Sequence, residues 1–351
     1  MIFSFTGNIL SMDIGSYRIK IVEGKHTKRG IEIISFFSIN TPEGVLEDGI
    51  IPDKDLLHYV LREEFIKRKM RTRNVHLTIN SSKIITREIV IPKMNYDDID
   101  KLIKYQIQDY VPINPDNYTT QFKIVDHCFV DDMEKLKILI ISIPNSMVNG
   151  YYELIASLNL NLIVLEYQPS SISKLLSYNN VVNNIYPLHK FTAASVDIGY
   201  DNTKISVIDN GRILFTNIVE VGSKFIDENL ILSIDYNKKH IEKIKKDIAN
   251  ISYPYGGEFI DNKIFDSLKR SMLNLIEKIG VVFNHYLARN NNKRINLVIL
   301  SGGISSINGL DNLFTNILRI PTITMKSFDR VNFKGPIANY ANAIGSIIKI
   351  T

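Results

Sequence analysis

Apolar and polar residues alternate through two widely separated stretches of the chain, and in each the alternation breaks at the same three residues, Asp-Ile-Gly. The first stretch reads LSMDIGSYRIKIVEG and runs on into GIEIISFFSI; the second reads AASVDIGYDNTKISVID and runs on into NGRILFTNIVEVG. Each is a β-rich run, a short polar turn, a second β-rich run and a glycine-containing turn into a third, which predicts a β-meander. Asp209-Asn210-Gly211 predicts a type I′ hairpin, whose central residues both need positive φ. In both copies a lysine follows the aspartate by seven residues: Asp13 then Lys20, Asp197 then Lys204. The shared context, more than the short string, makes this a duplication.

Each meander is followed by a helical period. Over Asp53 to Met70, Leu56, Leu57, Val60, Leu61 and Phe65 fall at helical spacing. Phe225 to Ile248 predicts two helices broken near Asp235-Tyr236-Asn237. Between the meanders, NVHLTINSSKIITREIVIP reads as strands and NYDDIDKLIKYQIQDYVP as a helix. Asn95 can cap that helix, Asp97 and Asp98 suit its positive end, and Pro112 marks its stop. Its apolar face is expected to be Ile99, Leu102, Ile103, Gln106 and Ile107 with Tyr110. YTTQFKIVDHCFV and KLKILIISIP read as two further strands. NGYYELIASL reads as a helix whose tyrosines pack rather than stack on a ligand. In the last third, Asn296 to Leu300 predicts a buried strand, followed by a glycine turn and a helix after Gly309. A helix with Ala338, Ala341 and Gly345 along it closes the pattern.

Composition narrows this picture without changing it. A chain of 351 residues suits two domains, and 45% apolar with 23% charged residues is ordinary for a soluble globular protein. The single cysteine, Cys128, rules out an intrachain disulfide and points to a reducing compartment, the cytoplasm. No apolar run reaches the roughly 18 to 20 residues that span a bilayer, and MIFSFTGNIL lacks the basic leader and cleavage site of a signal peptide. The seven histidines are scattered without metal-ligand spacing. The formal charge of +5 is dispersed except in IKRKMRTR, Ile66 to Arg73. That run reads as a solvated helix end or as a patch attracted to anionic lipid or an acidic partner. No basic stripe interleaved with aromatics points to nucleic acid.

A hairpin bearing Asp-Ile-Gly can grip phosphate. The glycine lets backbone N–H groups approach phosphate oxygens, and the aspartate can hold Mg²⁺ through its waters. The lysine returns along the partner strand and can bring its ammonium to the same place. Two such hairpins facing each other would clamp a polyphosphate from both sides. The Ser301-Gly302-Gly303 end of the later strand leaves room for a flat ring against bare backbone. The plainer readings stand beside these: hairpin aspartates capped by their own turns, solvated lysines, a simple glycine turn.

This order of motifs resembles the actin-like ATPase superfamily over nearly the whole chain. The resemblance implies an α/β, actin-like fold: two ribonuclease-H-like domains around a nucleotide cleft. Its first phosphate loop matches Asp13, Gly15, Ser16, Tyr17 and Lys20; its second matches Asp197, Gly199, Asn202 and Thr203, with Gly222 following. Its adenosine motif matches Gly302, Gly303 and Ile304, and its adenosine-contacting lysine falls on Lys245, one of several lysines on a charged helix. The resemblance makes Asp13, Asp197 and Gln168 the catalytic candidates, with Asp13 and Asp197 holding Mg mostly through water. Gln168 falls where relatives place a residue near the attacking water; a helix-start role stays equally open, given Pro169. The interdomain helices of the superfamily match EYQPSSISKLL and NYANAIGSII.

Within the superfamily the chain resembles the PilM family of type IV pilus assembly proteins, in the FtsA-like branch. The match rests on REIVIPKMNYDDIDKLIKYQIQDYVPINPDNYTTQFKIV, on the place of that FtsA-type α+β insertion in the first domain, and on an ending at Thr351 directly after a helix. The implied domains are 1–81 with 163–190, an insertion over 82–162, and 191–351 with a smaller subdomain near 223–290. The implied function is an ATP-binding cytoplasmic adaptor at the inner face of the cell membrane, with weak or no ATPase activity. It would dock the N-terminal tail of a PilN-type inner-membrane protein and couple pilus platform and assembly-ATPase components. Tyr200 and Asp201 stand where chaperone-like relatives have glycines, which counts against fast hydrolysis. An FtsA-like membrane-associated polymer and a small-molecule kinase of the same fold are the alternatives. The first is disfavoured by the missing amphipathic C-terminal helix, the second by the absence of a candidate carboxylate base.

Overall fold

A computed structural model of the chain describes residues 7–233, 250–252, 259–289 and 293–349. The two alternating stretches form two meanders: β1 (Ile9–Ile14), β2 (Arg18–Thr27) and β3 (Gly30–Asn40), then β11 (Thr192–Ile198), β12 (Thr203–Asp209) and β13 (Arg212–Val219). The tight turn into β13 has Asn210 at φ 47 and Gly211 at φ 76, as a type I′ turn requires. A fourth strand then enters parallel beside the first of each set. In the first half this is β4 (Asn74–Ile79) beside β1, and in the second it is β14 (Leu297–Gly302) beside β11. Registers repeat as well. Asp13 lies opposite Lys20 and Thr78; Asp197 lies opposite Lys204 and Ser301. The duplicated unit is therefore a four-strand frame, larger than the hairpin that announces it.

Helix α1 (Lys54–Lys67) connects β3 to β4. The Asp53 carboxylate accepts from Leu56 N at 2.9 Å, capping its start. Leu57 and Leu61, four apart, are fully buried against the first sheet. Burial of side chains of this size contributes roughly 1.5 to 3 kcal/mol each. Leu56, also on the expected apolar face, stays 38% exposed.

The insertion builds its own sheet from β5 (Ile85–Pro92), β6 (Tyr118–Val130) and β7 (Met133–Pro144), in the order β5-β7-β6. Helix α2 (Tyr96–Tyr110) covers it, capped by Asn95, which accepts from Asp98 N at 2.9 Å. Ile99, Ile103 and Ile107 are the buried stripe; Gln106, expected on it, is exposed and accepts instead from the Tyr110 hydroxyl. This small core is separate from the others. It ends with β7, short of residue 162. Helix α3 (Asn145–Ser157) buries Met147, Tyr151, Leu154 and Ile155 in the first half's core, and β8 (Asn161–Tyr167) pairs with β4. The sheet of the insertion thus spans 85–144, because the chain re-enters the first half through α3.

After β8 come α4 (Gln168–Tyr178) and a two-stranded ribbon of β9 (Val181–Val182) and β10 (Tyr186–Pro187). The second half continues with α5 (Ser223–Ser233), α6 (Phe259–Arg289), α7 (Leu310–Leu318) and β15 (Thr322–Thr324), which extends its sheet beside β14. The remainder of the two-helix stretch expected after Phe225 lies outside the described residues. The chain then crosses back. Strand β16 (Val331–Asn332) pairs with β3, and α8 (Ile337–Ile347) packs on β1, β2 and β4 of the first half and also on β14 of the second. Residues 331–347 therefore complete the first half, although they fall in the stretch expected as second domain. Conversely α4, which leaves the first half, lies on β12 and β13. The two helices meet at backbone distance: a Cβ on Gly345 would stand 2.2 Å from the Ser171 carbonyl oxygen. The Ser171 hydroxyl donates to the Asn342 carbonyl at 2.5 Å. A core built from both sheets and both helices fills the space between the halves.

Candidate functional site

Both aspartates end a buried central strand, and both are buried themselves, Asp13 at 2% and Asp197 at 7% exposure. An isolated carboxylate there would be costly, so its partners define the site. Asp13 has three. Gln168 Nε2 donates to its Oδ1 at 2.6 Å, Thr78 donates to the same oxygen at 3.3 Å, and the Lys20 ammonium stands 3.4 Å from Oδ2. Asp197 accepts from Asn342 Nδ2 at 3.0 Å and has Lys204 at 3.9 Å. Each aspartate is thus held by an amide from one of the two crossing helices and faced by a lysine from its own hairpin.

Lys20 links the halves electrostatically. Burial is the largest influence on it and opposes its charge. The carboxylates of Asp13 and Asp197 outweigh that and hold its pKa above the ordinary lysine value. The loops meet as well: the rings of Tyr17 and Tyr200 stack with centroids 4.8 Å apart and 19° between planes. Tyr200, read from sequence as a departure from relatives, is the partner that brings Tyr17 to the second loop.

The glycines sort by what surrounds them. Gly302 has φ +93, and a Cβ there would stand 2.2 Å from the Ile198 carbonyl oxygen and 2.7 Å from Asp197 Oδ1. The end of β14 can therefore lie against the second aspartate only as glycine. Gly303 has open space where its Cβ would be. Gly15 and Gly199 close tight turns, their N–H groups donating to the carbonyls of Arg18 at 3.3 Å and Asn202 at 3.0 Å. Gly222 packs beneath the second loop, where a Cβ would reach 2.2 Å from the Tyr200 carbonyl oxygen.

Other candidates fall elsewhere or stay apart. Ser16 and Asn202 are half-buried on the two loops. Thr203 is fully buried, and its hydroxyl donates to the Val221 carbonyl at 2.8 Å, so its side chain braces the loop. Ile304 is buried in the second core. Lys245 lies outside the described residues. Thr78 and Asn342 are the site residues that sequence reading missed. Both arrive from distant elements, and only the matching registers point to Thr78 and Ser301 as counterparts.

Three buried polar atoms around the aspartates find no partner among the described residues: Gln168 Oε1, Asn342 Oδ1 and Ser301 Oγ. Orphaned groups at such a place are available to a ligand or to ordered water. No cluster of three or more His, Cys, Asp or Glu side chains suited to a metal occurs among the described residues. Two carboxylates and neutral oxygens fit a Mg²⁺ that keeps most of its waters, rather than a cation caged by protein.

Known proteins share this fold. A structure of the PilM-PilN type IV pilus biogenesis complex superposes with a TM-score of 0.78 at 18% identity, covering 98% of this chain and 100% of that one. Ethanolamine utilization protein EutJ from Carboxydothermus hydrogenoformans gives 0.58 at 16% identity, covering 97% of this chain and 89% of its own. MreB5 of Spiroplasma citri bound to AMPPNP gives 0.54 at 13%, covering 97% and 95%. The fold is that of the actin-like ATPases. The cell division protein FtsA of Bacillus subtilis is 19% identical over 271 residues; the match takes in 71% of this chain and 60% of FtsA. The family model of type IV pilus assembly protein PilM matches residues 11–343, from the strand that carries the first aspartate to the helix that holds the second. By that match the chain belongs to the type IV pilus assembly protein PilM family.

Proposed function

We propose that the protein is an ATP-binding cytoplasmic adaptor of the type IV pilus inner-membrane platform. In this reading it docks the N-terminal cytoplasmic tail of a PilN-type membrane protein. The observation that carries the nucleotide half is the convergence of both Asp-Ile-Gly carboxylates on Lys20. Asp13 and Asp197 would hold a hydrated Mg²⁺, and the bound cation and polyphosphate would neutralise each other between them. Lys20 and the turn N–H groups of the two hairpins would take phosphate oxygens, and Gly303 would give the base an open backbone to lie on. Gln168 is occupied with Asp13, so its free Oε1 is what remains to orient a water. A single amide oxygen at that place supports slow hydrolysis or none.

The partner half rests on family membership and on the insertion. That unit touches the second half through the ion pair of Arg212 with Asp126, joining β13 to β6. Movement of the halves around nucleotide would be felt there, so the insertion's affinity for a partner can differ with and without ligand. No described helix is long and apolar enough to cross a membrane.

The test is direct. Protein purified from cells is denatured, and the released nucleotide is identified beside an Asp13→Ala control. ATP or ADP near one per chain, lost in the control, is expected. A labelled peptide of the partner's N-terminal tail is then titrated with and without ATP. No affinity in either state would overturn the adaptor reading.

A further inference from the structure

We propose that the end of the first sheet opposite the aspartates is an adhesive face for the anionic headgroups of a membrane surface. β1 and β4 run towards the site, so their starts, the end of α1 and the β2–β3 turn all lie at the far end. The Glu23 side chain ties these segments together, accepting from Asn8 at 3.1 Å, from Ser35 at 3.3 Å and from Thr72. The Asn161 N–H donates to the Arg73 carbonyl at 2.8 Å, which adds the start of β8. Thus the basic run Ile66 to Arg73 and the pair Lys28-Arg29 of the β2–β3 turn share one end of one sheet.

Their charges are largely uncompensated. Lys67 and Arg68 pair with Glu64 at 3.4 and 3.0 Å. Lys28, Arg29, Lys69, Arg71 and Arg73 are exposed and make no ion pair among the described residues. Of the nearby carboxylates, Glu23 is directed inward and Glu32 pairs with Lys25 at 3.3 Å, while Glu63, exposed on α1, makes no ion pair with these cations among the described residues. Ile66, beside the run, is 62% exposed. Loop-borne cations from two segments at one sheet end, with an exposed branched aliphatic among them, suit a flat and diffuse anionic partner. A peptide would need a groove, and single-stranded nucleic acid would need stacking rings among the cations. The inference stands apart from the nucleotide and tail readings. It adds a weak second attachment, which together with a membrane-held partner multiplies residence at the surface.

The test is sedimentation of the full chain with vesicles of phosphatidylcholine alone or mixed with phosphatidylglycerol, at low and high salt. Binding only to the anionic vesicles, released by salt, is expected. Each neutralised cation should weaken partition roughly fivefold. A quadruple variant, Lys28→Gln, Arg29→Gln, Lys69→Gln and Arg71→Gln, should therefore stay in solution. A control neutralising Lys101, Lys104, Lys278 and Lys326 removes the same charge from other surfaces and should still bind. Equal loss in both variants would reduce the effect to net charge and overturn the proposal. So would failure of the unaltered protein to bind anionic vesicles at low salt, or displacement by an oligonucleotide that binds more tightly than the vesicles. If the quadruple variant fails to fold, single substitutions read the same contrast: Arg71→Gln should weaken binding roughly fivefold and Lys326→Gln should leave it unchanged, equal effects overturning the proposal.

Discussion

Asp13 and Asp197 occupy matching positions in matching frames, yet one is fully furnished with partners and the other is not. Asp13 is met by an amide, a hydroxyl and an ammonium; Asp197 has one close amide, with Lys204 farther off at 3.9 Å. The counterpart of Thr78 is Ser301, whose hydroxyl finds no partner among the described residues. The first half is pre-organised before ligand arrives, while the second leaves polar capacity for something still to come. Duplication preserved the frame and let the two carboxylates diverge in what completes them.

The largest effect should come from the glycines of the second half. Gly302→Ala forces a Cβ into the Ile198 carbonyl at positive φ and should cost more than about 3 kcal/mol. Gly303→Ala, with open space, should stay within about 0.5 kcal/mol. Thermal unfolding of both variants checks the contrast; equal shifts would mean that the turn is not held against Asp197.

Acid should weaken the first half selectively. His76 sits on β4 opposite Ser11, and the second half has Ile299 at the equivalent position opposite Ser195. Burial pushes the His76 pKa down to about 4, and its Nδ1 donates to the Ser346 carbonyl at 2.7 Å. The folded pKa lies below the unfolded value of about 6.5. The stability it contributes is therefore complete above that pH and is lost as the pH falls towards 4. The whole effect is about 3 kcal/mol. Urea unfolding from pH 7 to 4 should show this slope, and His76→Asn should flatten it.

The smallest effect sharpens the comparison most. Hydrogen bonds to charged groups contribute about 1.5 to 3 kcal/mol. Asn342→Ala strips Asp197 of its close donor and should cost that full amount. Gln168→Ala leaves Asp13 with Thr78 and Lys20 and should cost about 1 kcal/mol. Urea unfolding without nucleotide ranks the two; equal losses would show the halves to be equally pre-organised.

Much of this was legible because period and spacing are local. Alternation foretold the meanders. The seven-residue step from aspartate to lysine foretold the cross-strand pairs Asp13–Lys20 and Asp197–Lys204. Asn95 announced its helix through capping chemistry. What stayed hidden is what depends on chain crossings. Asn342 meets Asp197 across 145 positions of sequence, and no spacing rule reaches that far. The two-residue strand β16 is too short to carry a period, so its return to the first sheet was invisible. The end of the insertion was misplaced because α3 and the strand before it are apolar alike, and only packing tells which core each joins.

That return crossing has a consequence for how the protein comes into being. Translation delivers the first sheet early, but the helix that covers it and the strand that finishes its edge follow the entire second half. A nascent chain emerging from the ribosome would hold one face of that sheet uncovered, α1 and α3 lying on the other, while the residues between Tyr167 and Ile337 are made. Chaperone protection over that interval, and quality control that acts before release, should matter more for this molecule than for one whose halves are each closed by their own neighbouring sequence.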